Sequence, residues 1–192
     1  MKTETIIIKH GKRLVLAGIL LLWISTDAAS QAYLSKDGHA EFDSSVPLHT
    51  FTGVSDQLVG KISLSDSTVD FYLDVHTIKT GIGKRDRDML ETLEAEQYPF
   101  VEFFGRLATP VDTNATGPQK VTVEGEFTVH GVTKHISVDG TLQKSDEGLE
   151  VAASWTINME NYDIEPPGIL FYRVSEHIPI SISATLPPQS SN

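Results

Sequence analysis

The feature that most narrows what this chain can fold into is a period of two. From Gly38 onward, apolar residues recur at every second position in segments set apart by turn residues, the mark of strands with one buried face. The plainest case puts Val121, Val123, Gly125, Phe127 and Val129 on one face and Thr122, Glu124, Glu126 and Thr128 on the other. A turn at His130-Gly131 follows, and Ile136, Val138, Gly140 and Leu142 resume the alternation. Beyond the turn from Lys144 to Gly148 it continues through Leu149, Val151, Ala153, Trp155 and Ile157. The last segment sets Ile178, Ile180, Ile182, Ala184 and Leu186 inward. Earlier ones are carried by Ala40 and Phe42, by Leu58, Gly60, Ile62 and Leu64, and by Val69, Phe71, Leu73 and Val75. Pro179 cannot donate to a ladder, so it is expected at an edge, a bulge or a strand start.

One stretch breaks the rule. From Lys84 to Gln97 the chain is charged and free of glycine and proline, with Met89, Leu90 and Leu93 at helical spacing. This predicts a short helix whose apolar face lies against the sheet, ended by Pro99. Glycines at Gly60, Gly105, Gly125 and Gly140 fall on inward faces, where glycine marks a bend or a close approach. The expected fold class is therefore mainly β. About eight bent antiparallel strands, paired in sequence, should close into a barrel and so remove their exposed edges, with a flat sandwich as the competing architecture.

The N-terminus bounds where such a domain works. Lys9, Lys12 and Arg13 stand directly before residues 14–24, a run without charge that is too short to span a bilayer. Ser30-Gln31-Ala32 then offers the small-x-small pattern of a cleavage site. Residues 1–32 therefore read as an export signal, 33–186 as one domain and 187–192 as a loose polar tail, with the mature protein periplasmic or secreted. Cleavage removes Lys2, Lys9, Lys12 and Arg13 together with Glu4 and Asp27, taking the formal net charge from −11 to −13. So acidic a chain does not suit nucleic-acid backbones, which need clustered cations. With no cysteine there is no disulfide, no thiolate metal site and no acylated cysteine. Nothing after Ala32 is apolar enough for a membrane-spanning helix, so no stable membrane insertion is expected.

Three stretches in order resemble the exported bacterial proteins of the YceI-like, or polyisoprenoid-binding, family. They are Thr77-Ile78-Lys79-Thr80-Gly81 leading into Lys84-Arg85-Asp86-Arg87-Asp88-Met89-Leu90, then Tyr98-Pro99-Phe100-Val101-Glu102-Phe103, then Val123 to Phe127 followed by Thr128-Val129-His130-Gly131-Val132-Thr133-Lys134. With Phe51-Thr52-Gly53 and the Gly60 strand, the resemblance covers about residues 37–186. It implies a lipocalin-like antiparallel barrel whose apolar tunnel holds a long isoprenoid chain, such as a quinone or a prenyl phosphate.

The candidate site follows from that geometry. Phe42, Phe71, Phe103, Phe127, Trp155 and Ile180 face inward and would either pack as a filled core or line a tunnel. Period-two patterning is the same in both cases, and lumen volume separates them. Arg85 and Arg173 are candidate contacts for a polar head group, since guanidinium forks suit anions. The competing reading of Arg85 is a solvated helix start. His130 and His135 lack an obvious third metal ligand, and His130 is expected to fix its turn. No Ser-His-Asp elbow, phosphate loop or spaced carboxylate pair stands out. The expectation is a binding protein rather than an enzyme, with no cofactor or metal. The alternative is a filled barrel acting as a structural or protein-interaction module, with an enzyme acting on an apolar substrate as a distant third, and a homodimer is compatible with the sequence.

Overall fold

A computed structural model describes residues 32–46, 49–165, 168–169, 172–173 and 176–189. Eight strands form a closed barrel: β1 (Ala32–Val46), β2 (His49–Ser63), β3 (Thr68–Asp74), β4 (Phe100–Leu107), β5 (Gln119–Val129), β6 (Val132–Lys144), β7 (Leu149–Asn158) and β10 (His177–Leu186). They pair antiparallel in chain order, and β10 returns to β1 to complete the ring. Two short strands, β8 (Gly168–Ile169) and β9 (Tyr172–Arg173), make a separate ribbon. The barrel, not the sandwich, is the architecture. The export signal expected over residues 1–32 lies outside the described residues except for Ala32, the first residue of β1.

Turn chemistry sets the register. His130 and Gly131 both have positive φ, 53° and 72°, the two-residue hairpin geometry that matches the twist of its strands. They join β5 to β6 with Val129 paired to Val132. Closure is achieved with few pairs: β1 meets β10 only from His39 opposite Ser183 to Phe42 opposite Ile180. The Ser181 hydroxyl reinforces this seam, donating to Glu41 Oε1 at 2.9 Å. Pro179 lies beyond the last seam pair, near the start of its strand, where a missing donor interrupts no β1 ladder. The stretch after Leu186 is not loose from its first residue. Leu34 N–H donates to the Pro187 carbonyl at 3.0 Å, and Gln189 N–H donates to that of Ala32 at 2.7 Å, so residues 187–189 keep pairing with β1, and 190–192 lie outside the described residues.

The helix is shorter than the sequence pattern suggests. α1 (Gly83–Thr92) stops five residues before Gln97 because Glu94 enters the left-handed region at φ 46°. Ala95 N–H then turns back to the Leu90 carbonyl at 3.0 Å and Ala95 is buried, so the chain tucks under the helix instead of extending it. Met89, Leu90 and Leu93 lie against the barrel core, as their spacing requires.

Inside, glycine decides how close strands and rings can come. Gly105 and Gly125 face each other across β4 and β5. A Cβ on Gly125 would fall 2.5 Å from the Phe104 carbonyl oxygen and 2.9 Å from the Phe103 ring. Gly125→Ala is therefore an overpacking change, costing about 1–3 kcal/mol. For a chain of this size thermal unfolding should register a fall of about 2–4 °C per kcal/mol. Gly117→Ala, where a Cβ meets nothing within 4 Å, is the matched control and should shift stability by no more than about 0.5 kcal/mol.

Candidate ligand-binding lumen

The barrel encloses two chambers that share Ala40, Leu73, Val101, Phe127 and Ile180 as walls. The inner one, about 120 Å³, is bounded by Phe71, Phe103, Phe127, Trp155 and Ile180 among others. Side chains nearly fill it. The outer one is about 630 Å³, bounded by Phe42, Phe127, Val129, Ile157, Met159 and Ile178 and crossed at its rim by α1. Its volume lies within the range of small-molecule sites, about 300–1,000 Å³. All six inward residues named from the sequence border one chamber or both. The lumen is thus filled at one end and hollow at the other.

Three of those rings lie against glycines rather than across the lumen. Phe42 is paired with Gly53, Phe71 with Gly60, and Phe103 covers Gly105 and Gly125. A Cβ on Gly53 or Gly60 would come within 2.2 Å of the ring beside it. Phe127 is held by edge-to-face contacts with Trp155 and Tyr162, with centroids 5.6 and 5.7 Å apart.

At the rim the sequence resolves into a small polar apparatus. The Asp86 carboxylate accepts the Thr80 N–H at 2.8 Å and its hydroxyl at 2.5 Å, tying the incoming chain to the first turn of α1. Arg85 lies beside this clasp, donating from Nη2 to the Thr80 carbonyl at 2.6 Å, with its guanidinium 4.2 Å from the centre of the Phe51 ring. Phe51 in turn meets Phe42 edge-on at 6.2 Å. The Nε of Arg85 is buried and has no hydrogen-bond partner, although Arg85 borders the outer chamber. Neighbouring Lys84 is engaged by Asp88 at 2.6 Å. The backbone of Arg173 pairs with Gly168, and its side chain lies outside the described residues.

Thr80 and Phe51 stand in the motifs that carry the family resemblance, but the sequence assigned them no role at the site, and it did not show the 3₁₀ turn Met159–Tyr162, which supplies Met159 to the chamber wall. Thr80 and Asp86 are six residues apart and match no standard capping spacing. His130 fixes its turn, donating from Nδ1 to the Tyr162 carbonyl at 3.1 Å and packing edge-on against Tyr98. His135 is exposed and meets Glu124 at 3.5 Å. Among the described residues no three metal-ligating side chains gather.

A family model for the YceI-like domain matches residues 33–186. The chain belongs to the YceI-like family. Solved structures agree on the fold of this YceI-like barrel. A polyisoprenoid-binding domain from Saccharophagus degradans superposes with a TM-score of 0.70 at 21% identity, covering 83% of this chain and 99% of that one. BcnA of Burkholderia cenocepacia gives 0.59 at 13% identity, over 75% and 94%. A Campylobacter jejuni YceI protein gives 0.52 at 14%, with both chains covered in full. No curated protein sequence matches the chain.

In this YceI-like barrel the Thr80 hydroxyl, and then its N–H, hold the Asp86 carboxyl below the usual carboxylate range. A depressed folded-state pKa contributes stability that is present above the unfolded value of about 3.9 and lost as pH falls through the folded one. Asp86→Ala should therefore lower the urea midpoint at pH 7. The gap from the parent protein should narrow below about pH 3.9 and close as the parent's own carboxyl protonates.

Proposed function

We propose that this protein binds one long apolar molecule, an isoprenoid or a similar lipid, in the outer chamber of its barrel and works outside the cytoplasm as a carrier or reservoir. The observation that carries the reading is the 630 Å³ chamber walled by apolar side chains, with exposed Lys84, Asp88 and Glu91 marking where it reaches solvent. The Saccharophagus degradans relative, named as a polyisoprenoid-binding domain, supports the ligand class. The charged N-terminal cluster and short apolar run support export. The reading is one of binding rather than catalysis, the tail being held by burial without a covalent step.

The rim favours a quinone over a prenyl phosphate as the head group. Arg85 offers one unpartnered buried donor, its Nε, which suits a single carbonyl oxygen. Glu41, Asp88 and Glu91 border the chamber beside Lys84 and Arg85, so the local charge does not invite a phosphate. A filled barrel serving as an interaction module is supported by the inner chamber alone, where about 120 Å³ leaves room for little more than a slender tail.

Organic extraction of the purified protein, followed by mass spectrometry, should recover a lipid with an isoprenoid or comparable chain. Repeated recovery of none, together with no binding on titration with a long-chain quinone, overturns the proposal. Val129→Trp, which places a large ring on the chamber wall, should reduce quinone affinity at least tenfold while the β-sheet circular dichroism is kept.

A further inference from the structure

The outer wall of the barrel carries a second feature that the lumen does not explain. On β3 and β4 the outward positions alternate between aromatic rings and carboxylates, and the pairing sets each ring opposite an acid. Tyr72 faces Glu102, Phe100 faces Asp74, and Phe104 faces Asp70 on one side and Glu126 on the other. Directly opposed side chains lie about 5 Å apart at Cβ, so the rings and carboxylates form one checkerboard. The rings are open to solvent, Tyr72 at 43%, Phe100 at 44% and Phe104 at 55%, and Tyr72 meets Phe100 edge-on at 6.0 Å. Soluble proteins seldom expose contiguous aromatic surface without a use for it.

Charge identifies what would cover it. The outer face of β3, β4 and β5 presents Asp70, Asp74, Glu102, Glu124 and Glu126 against two cations, Lys120, which lies on β5 beyond Glu124, and Arg106, whose Nη1 donates to the Asp66 carbonyl; Lys61 of β2 is paired in register with Asp70 at the edge of this face. Among the described residues none of these five acids has a lysine or arginine within 4.0 Å; Asp74 and Glu124 meet His76 and His135. A second copy docked on the same face would bring like charges together, and an anionic bilayer would be repelled. A protein surface presenting arginine or lysine among apolar side chains would gain both from the carboxylates and from stacking its cations on the rings.

We propose that this face is a docking surface for a basic, partly apolar protein partner. It lies on the outside of the wall where the two chambers meet, because Leu73 and Val101, the chain neighbours of Tyr72 and Phe100, line both, and its Phe100 end is the one toward the outer chamber. A partner seated there would stand beside the rim without entering the lumen.

The test uses a soluble peptide of alternating arginine and leucine, with an arginine-serine peptide of equal charge as its control, followed by amide chemical shifts. Binding should perturb residues 70–74 and 100–104, weaken as salt is raised, and be at least tenfold tighter for the leucine peptide. Phe100→Thr with Phe104→Thr should abolish that tenfold preference, and Glu102→Gln with Glu126→Gln should weaken both peptides. Equal affinity for the two peptides in the parent protein, or a leucine preference untouched by the threonine changes, overturns the proposal. So does perturbation confined to another face. Sedimentation as a dimer that the threonine changes dissociate would assign the face to a second copy, and flotation with phosphatidylglycerol vesicles that they abolish would assign it to a bilayer. Either result replaces the protein partner.

Discussion

The lumen depends on where a few phenylalanine rings are allowed to lie. Phe42 points into the outer chamber and Phe71 and Phe103 into the inner one, and bulky rings so placed would ordinarily plug the barrel along its length. Each instead rests against glycine, on the next strand for Phe42 and Phe71 and on both β4 and β5 for Phe103. The missing Cβ leaves a shallow trough, and the ring occupies it rather than the central space. Interior glycine costs strand stability because it packs nothing and orders a freer chain. Here that cost is offset by ring burial along the wall, and at Phe42, the one of the three that borders the outer chamber, the ring's seat on Gly53 leaves that half of the barrel open.

Closure imposes the second constraint. The seam between the first and last strands uses few pairs, bounded on one side by the bulges about Gly38 and on the other by the divergence past Phe42 and Ile180. The tail beyond Leu186 extends the join toward the filled end of the barrel, hydrogen-bonding to Ala32 and Leu34. The rim is organised differently. There α1 and the Asp86–Thr80 clasp carry the polar groups, and Arg85 is positioned by Thr80 and Phe51 together. Opposite ends of one barrel therefore serve opposite ends of a ligand in the proposed complex, the apolar tail inward and the head group at the helix.

The strands were legible because a sheet with one buried face must alternate, and β5 to β7 and β10 keep the inward residues that the alternation assigns. The helix was legible in type but not in length. Its end is set by Glu94 adopting a left-handed conformation so that Ala95 can be buried, a tertiary demand with no local signal. Thr80 and Phe51 escaped for the same reason, since their roles arise from contacts between segments that are distant in sequence or oddly spaced. The exposed rings on β3 and β4 were present in the alternation all along, as aromatic residues at outward positions, but exposure had to be seen.

By itself the sequence determined most of the strands, the faces of their alternating residues and the family motifs, because periodicity and turn chemistry act over a few residues. It also placed an export signal ahead of the domain as an expectation. Only the tertiary structure decided that the sheet closes, that one half of the lumen is filled and the other hollow, and that Arg85 keeps an unpartnered donor at the rim. The physical reason is that volume and hydrogen-bond completeness are sums over strands that meet only once the barrel has formed, and no local pattern encodes a sum.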